Sequence, residues 1–331
     1  MSEPAERRVE IDALKAAGIL TIVLIHSLRA PWDPSVSTFE VWVGHATRFG
    51  VPAFLCASGY LYARTSPVAL ATTLARLRRI VVPYLVASLC AQVFRRWLEL
   101  GEGPGNFWLD LLIGASFGPY YYVFVIAILV LVTPAFARLS RRTIAGMTLV
   151  LLAVQWGVDA APWGIPLPIR WHIRSPLLWW AYFLLGWSVR LYARPLAYQL
   201  ARHRRALAVG FVASALLLTG ASALEGFAPR LFVRTAAWLD VYAILGAIVV
   251  LSHGVERSPP WLRFLSDATY AIYLFHLFFL LPVARLVPPA PDRAALGAIA
   301  LPWLAGLLGS LLLVMVARAL LGRHSRNWVG A

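Results

Sequence analysis

The feature that most constrains this chain is a series of apolar runs, ten in all, that are long enough or nearly long enough to cross a lipid bilayer. They occupy residues 13–29, 39–63, 80–97, 119–137, 143–158, 175–192, 206–224, 231–252, 268–287 and 296–321. Since a helix rises about 1.5 Å per residue, some 20 apolar residues span the roughly 30 Å of hydrocarbon. The runs predict an all-α integral membrane protein, a bundle of about ten transmembrane helices that forms a single domain over residues 1–331.

Composition supports the same fold class. Hydrophobic residues make up 60% of the 331 residues and charged residues only 14%, whereas roughly a quarter of a soluble domain is charged. So much apolar surface exceeds what one water-soluble core can hold. The bilayer must therefore serve as the solvent for most of the chain.

The net charge of +15 does not indicate a nucleic-acid partner. The arginines stand at the ends of the apolar runs, where basic residues orient helices and meet anionic membrane lipids. With a cytoplasmic N-terminus, most of the basic residues fall on the cytoplasmic side. This asymmetry predicts that both termini are cytoplasmic, with a short arm over residues 1–11 and a short tail over residues 322–331.

Small and weakly polar residues in the second run carry little sign of chemistry. Ser58 and Gly59 predict a close approach between helix backbones rather than a nucleophile. Cys56 has no basic neighbour that would activate a thiolate, and two cysteines predict neither a disulfide framework nor a metal site. His45, Trp171 and His172 are expected near the outer surface, where solvated loop positions are favoured over contact with an acceptor.

The first run holds three ionisable residues, Asp12, Lys15 and His26. Such groups are costly near hydrocarbon and usually face a cavity or a partner, so they indicate function. At about 100° per residue, Lys15 and His26 point within roughly 20° of each other and lie about 16 Å apart along the axis. Asp12 deviates from the same line by about 40°. We therefore expect one functional stripe, along which a long, thin substrate arm could run.

His26 is the candidate base of this stripe. An imidazole with a pKa near neutrality can take the proton of a hydroxyl as that hydroxyl attacks an acyl carbonyl. We therefore predict His26, Lys15 and Asp12 as catalytic residues. The alternatives are that Lys15 extends to the headgroups and that His26 bonds a neighbouring helix.

A cluster of arginines, Arg76, Arg78 and Arg79, precedes the third run. Guanidinium groups hold phosphates through paired hydrogen bonds. Arginines that only orient the helix would look the same. From the residues alone, helix orientation is the favoured interpretation.

Two aromatic segments could line a cavity. Tyr270, Tyr273 and His276 follow a three-residue spacing that places neighbours on adjoining parts of one helix face. The run GPYYYVF contains Tyr121 and Tyr122, whose rings suit the faces of a sugar. Both segments could equally be packing residues or part of the aromatic belt at the membrane interface.

Four of these motifs together resemble acyltransferase family 3 of bacterial membrane proteins. The family has a basic residue, ten residues and then a histidine in its first helix, as Lys15 and His26 have here. Its Arg-x-x-Arg pair is matched by Arg76 and Arg79. The segments FGVPAFLCASGYLY and SDATYAIYLFH resemble family segments in the same order. The resemblance extends from about residue 8 to about residue 285.

The resemblance implies an O-acyltransferase in the bacterial cytoplasmic membrane. The expected donor is cytoplasmic acetyl-CoA or another acyl-CoA, and the expected acceptor is a hydroxyl of a sugar, glycan or lipid-linked oligosaccharide. It implies that Arg76, Arg79 and Lys15 bind the donor, and it suggests polysaccharide-biosynthesis partners. The acceptor-binding candidates are His276, Tyr273, Tyr121 and Tyr122.

The sequence is also compatible with other classes of membrane protein. A transporter or flippase of a glycolipid or small molecule would also be polytopic, although such proteins often show paired helix breaks in two halves, which we do not find here. A binding or sensory membrane protein would need no chemistry at His26. Within the enzyme class, both direct transfer and an acyl-histidine intermediate agree with the sequence.

Overall fold

The computed structural model describes residues 7–29, 36–64, 68–98, 106–160, 174–224, 231–287 and 295–331. Throughout these ranges the regular secondary structure is helical, without strands. The predicted all-α class is therefore confirmed. Trp171 and His172 lie outside the described residues, whereas His45 belongs to a helix, where it is partly buried beside Arg48. The expectation of a solvated position for His45 was wrong.

The described part of the chain forms the following helices in order. They are α1 Val9–Ser27, α2 Thr38–Thr47, α3 Gly50–Tyr62, α4 Leu70–Trp97, α5 Phe107–Ile113, α6 Tyr121–Phe136, α7 Arg141–Ala160, α8 Pro176–Leu191, α9 Ala193–Leu224, α10 Leu231–Ser252, α11 Pro260–Leu286, α12 Ala295–Leu321 and α13 Ser325–Trp328, with short 3₁₀ turns at Gly118–Tyr120 and Gly322–His324.

Each apolar run coincides with helical structure, and the second is divided between α2 and α3. Within the described residues, five segments are long and apolar enough to cross a membrane. They are Leu70–Trp97, Gly118–Phe136, Ala193–Ala221, Pro260–Leu286 and Leu296–Trp328. The count of ten crossings and the cytoplasmic placement of both termini stay predictions.

The outer surface of the bundle is apolar. On α4, α9 and α12, the side chains of Val93, Leu217 and Leu312 are 71%, 74% and 61% exposed. Contiguous exposed apolar surface is unfavourable in water but favourable against lipid chains. This surface and the long apolar helices define an integral membrane protein.

Local signals explain where the shorter helices begin and end. Ser37 and Glu40 form a reciprocal capping box at the start of α2. Asn106 caps α5 by accepting hydrogen bonds from the first backbone amides. Gly114 ends α5 with φ of 69°, a left-handed conformation that glycine adopts without steric cost.

Helices α3 and α8 are in close backbone contact. A Cβ atom added to Gly59 would lie 1.9 Å from the carbonyl oxygen of Phe183, and one added to Gly186 would lie 1.9 Å from that of Cys56. The two backbones therefore touch at reciprocal glycines, as small residues permit in membrane bundles. The predicted close approach at Gly59 is confirmed.

Helix α1 lies among α3, α10, α11 and α12. It lies close to α3 at Gly18, where an added Cβ would lie 3.1 Å from the carbonyl oxygen of Gly50. The polar residues of α1 are consequently held against the interior of the bundle, where the candidate site is found.

Candidate active site

A cavity of about 440 Å³ opens between α1, α3, α4, α6, α11 and α13. It is lined by Lys15, Phe54, Ala57, Ser58, Leu61, Tyr62, Arg64, Arg76, Arg79, Ile80, Tyr122, Ile126, Asp267, Thr269, Tyr270, Tyr273, Arg326 and Gly330. The structure thus brings together five predicted site residues from four helices: Lys15, Arg76, Arg79, Tyr122 and Tyr273.

The charged part of the lining is strongly positive. Its cations are Lys15, Arg64, Arg76, Arg79 and Arg326. All five belong to the side that the sequence predicts as cytoplasmic. The lining contains one carboxylate, that of Asp267, which already forms an ion pair with Arg7 at 3.1 Å. The cavity can therefore attract and hold an anion with several charges.

Two of these cations have unused capacity to bind a ligand. Across the described ranges, Lys15 makes neither a hydrogen bond nor an ion pair, although it is partly buried. The Arg76 guanidinium lies over the ring of Tyr62, 5.1 Å from its centroid, and its Nη1 is buried without a hydrogen-bond partner among the described residues. A buried donor without a partner is unfavourable, so an anion bound here would be stabilised.

Tyrosines form the apolar part of the lining. The rings of Tyr122 and Tyr273 meet edge to face at 5.3 Å. The Tyr273 hydroxyl donates to the carbonyl of Pro119, and the Tyr270 hydroxyl donates to the carbonyl of Ile80 at 2.6 Å. These two hydrogen bonds hold α11 against its neighbours. Tyr273 lines the cavity with its ring, because its hydroxyl is bound to the Pro119 carbonyl.

The two predicted histidines lie side by side. His26, on the last turn of α1, and His276, on α11, have ring centroids 5.3 Å apart and planes inclined by 33°. The His276 ring is in turn 6.4 Å from that of Tyr273. Neither histidine is among the residues lining the cavity. The pair therefore lies beyond Tyr273.

The hydrogen bonds of His276 fix its tautomer. His276 is fully buried, and its Nδ1 lies 2.8 Å from the carbonyl oxygen of Tyr273. A carbonyl only accepts, so Nδ1 carries the proton and Nε2 carries the lone pair in the neutral ring. This Nε2 has no hydrogen-bond partner among the described residues, and it can accept a proton or a hydrogen bond.

Asp12 holds α1 against α11 and the loop before it. Its carboxylate accepts from Arg7 at 2.7 and 3.0 Å, from the Ser258 hydroxyl at 2.6 Å and from the Ser266 hydroxyl at 2.7 Å. It is not among the residues lining the cavity. The catalytic role of Asp12 stays a prediction, and its contacts favour a positioning role.

Tyr121 also lies away from the cavity lining. Its ring stacks on that of Trp179 at 5.6 Å, while its neighbour Tyr122 faces the cavity. Consecutive helix positions point about 100° apart, so the two residues face different surroundings. An acceptor-binding role for Tyr121 stays a prediction without a contact that supports it.

Sequence reasoning missed Arg326, Arg64 and Asp267 as cavity residues. The two arginines were assigned to helix orientation by their positions at the ends of apolar runs. Asp267 belongs to the segment SDATYAIYLFH, and its charge in an otherwise weakly polar stretch was the available signal.

The described residues thus form an integral membrane bundle of apolar helices with a cationic cavity and an adjacent pair of histidines. The model of a family described as an acyltransferase domain matches residues 8–321. The chain therefore belongs to acyltransferase family 3, and the predicted membership is confirmed. The match also supports an acyltransferase type of function. The chain matches no curated protein and no solved structure.

Proposed function

We propose that this protein is a membrane-bound O-acyltransferase that moves an acyl group, acetyl in the first instance, from acyl-CoA to a hydroxyl of a sugar, glycan or lipid-linked oligosaccharide. The observation that carries the proposal is the convergence of Lys15, Arg76 and Arg79 on one cavity. Lys15 is far in sequence from Arg76 and Arg79, which lie one turn apart on α4, and helix orientation alone gives no reason for Lys15 to meet this pair.

Donor binding follows from charge. Acyl-CoA carries its phosphates at one end and its thioester at the end of a long, thin arm. Arginine binds phosphate through two parallel hydrogen bonds and lysine binds it as a compact charge. The phosphates would lie at the cationic lining, with the arm directed toward Tyr122 and Tyr273 and the histidine pair beyond them.

The histidine pair supplies the proton chemistry. An unprotonated nitrogen of His26 takes the proton of the acceptor hydroxyl while the hydroxyl oxygen attacks the thioester carbonyl carbon. The carbon–sulfur bond then breaks, and the leaving thiolate receives the proton. His276, through the free lone pair on Nε2, can accept a hydrogen bond from the protonated nitrogen of His26 and so hold the other nitrogen ready as the base.

Aromatic rings form the proposed acceptor site. The rings of Tyr122 and Tyr273 are suited to pack against the apolar faces of a sugar. The proposal places the protein in a bacterial cytoplasmic membrane together with polysaccharide-biosynthesis partners, and the apolar surface supports the membrane location.

The test uses purified protein in neutral detergent, where no compartments exist and transport gives no signal. Acetyl-CoA is supplied with and without a mixed extract of glycans and lipid-linked sugars, and free thiol is followed together with acetylated product. Thiol release that requires the extract, with product formed in equal amount, is the expected result. Absence of release, together with absence of saturable acetyl-CoA binding, would contradict the donor assignment and favour a transporter.

A further inference from the structure

The segment 322–331 is a packed part of the bundle. Val329 and Ala331 lie against the hydrophobic core. Gly330 has φ of 78° and lies so close to Tyr270 that an added Cβ would be 2.7 Å from the ring. Because Gly330 itself lines the cavity, this segment forms one of its walls.

Arg326 projects from this wall into the same lining as Lys15, Arg76 and Arg79. It lies on α13, which packs against α4, the helix that carries the arginine pair. In the described part of the chain, Arg326 is exposed and forms neither a hydrogen bond nor an ion pair. It is therefore available to a ligand.

The charges in this lining do not balance within the described residues. Cations that share a small volume repel one another, and the carboxylate of Asp267 is already engaged with Arg7 at 3.1 Å. The remaining positive charge exceeds what one phosphate group would neutralise. A ligand with several phosphate charges matches the cavity better than a single monoester.

We infer that Arg326 is a further donor-binding residue that contacts a phosphate of acyl-CoA. The segment 322–331 thereby forms one wall of the donor site, and donor recognition depends on more than one phosphate group. The inference rests on the proposed function, in which acyl-CoA is the donor. Acyl-CoA carries both a diphosphate and a 3′-phosphate, and so has the several phosphate charges that the cavity can bind.

The chain contains a matched control for Arg326. Arg323 is exposed, lies in the same segment and carries the same charge, but it is not among the residues lining the cavity. Arg326→Ala and Arg323→Ala therefore remove equal charge from one segment and differ in access to the ligand. Arg326→Lys retains the charge without the paired hydrogen bonds.

The experiment compares three donors in neutral detergent, namely acetyl-CoA, 3′-dephospho-acetyl-CoA and S-acetylpantetheine, which lacks phosphate. For acetyl-CoA, we expect Arg326→Ala to raise KM about tenfold with little change in kcat, since a charge-assisted hydrogen bond is lost. Arg326→Lys should recover part of this loss, and Arg323→Ala should behave like the unaltered protein. With S-acetylpantetheine, all four proteins should have the same KM.

Three outcomes would overturn the inference. Equal KM values for acetyl-CoA in the Arg326→Ala and Arg323→Ala variants would show that Arg326 does not contact the donor. A fall in kcat that is the same for all three donors would indicate a structural role of the segment. An effect that appears only when anionic lipid is added would assign Arg326 to a lipid headgroup. In each case acetyl-CoA turnover by the unaltered protein would leave the proposed function standing, whereas absence of that turnover would contradict the proposed function itself.

Discussion

His26 and His276 join the first helix and α11 through rings whose centroids are 5.3 Å apart. A third helix, α12, packs closely against His276. A Cβ added to Gly306 of α12 would lie 3.3 Å from the carbonyl oxygen of His276. The hydrogen bond from Nδ1 of His276 to the Tyr273 carbonyl leaves one basic nitrogen on the buried ring. We propose that one ring of the pair acts as the base and that the other orients it.

His276→Ala should reduce kcat by roughly tenfold to a hundredfold if, as proposed, His276 accepts a hydrogen bond from His26 during the reaction and orients its ring. KM for acetyl-CoA should change little, since His276 is not among the residues that line the cationic cavity. Steady-state kinetics on the purified variant give both values. An unchanged kcat would show that His276 only fills space between α11 and α12.

Arg76→Ala should weaken acetyl-CoA binding by about tenfold, because it removes the guanidinium that is proposed to bind a phosphate. The Nη1 of this guanidinium is buried without a partner among the described residues. The control is Arg78→Ala, which removes the same charge from an exposed position of α4 that does not line the cavity. Isothermal titration with acetyl-CoA measures both variants. Equal dissociation constants for the two variants would contradict the assignment of the donor site.

Gly59→Ala should destabilise the bundle by about 1–3 kcal/mol, the usual cost of forcing an extra group into a packed contact. The added methyl would fall 1.9 Å from the carbonyl oxygen of Phe183, so α3 and α8 must separate. Gly146→Ala on α7 is the control, because a Cβ there meets no atom within 4 Å. Thermal unfolding in detergent should show a lower midpoint for the first variant only, and equal midpoints would sink the packing argument.

Asp12→Ala should also lower the unfolding midpoint, because it leaves the hydroxyls of Ser258 and Ser266 without their acceptor. Each buried polar group left unpaired costs about 1–3 kcal/mol. The exposed Glu256 provides a control, Glu256→Ala, with little expected effect. If Asp12 positions α1 rather than transferring protons, Asp12→Asn should keep most of kcat. Loss of kcat at an unchanged midpoint would instead support the catalytic role that the sequence predicts.

The helices could be predicted from the sequence because apolar runs are a local signal and the bilayer sets their length. The path of the substrate arm along α1 could not be predicted in this way. Lys15 reaches the cavity and His26 does not, since Ile19 and Ile22 between them are 0% and 3% exposed and fill the face along which the substrate arm was expected to run. Spacing gives the direction of a side chain, but the neighbouring helix decides whether space is left beside it.

The cavity wall formed by Arg326 was equally beyond local reasoning. Its segment has the composition of a polar tail, and only the packing of Val329 and Gly330 against the bundle brings Arg326 to Lys15. Tyr121 and Tyr122 illustrate the same limit. Both belong to one aromatic run, and only tertiary structure shows that Tyr122 lines the cavity while Tyr121 stacks on Trp179.

The most direct test of the account is acetyl transfer by His26→Ala in neutral detergent, measured beside His324→Ala, which alters an exposed histidine that does not line the cavity. General-base catalysis contributes roughly 10²- to 10⁴-fold. We therefore expect transfer from acetyl-CoA to fall by that factor in His26→Ala, with an unchanged dissociation constant for acetyl-CoA. His324→Ala should transfer at the rate of the unaltered protein. Transfer at the full rate by His26→Ala would contradict the account and remove His26 from the reaction.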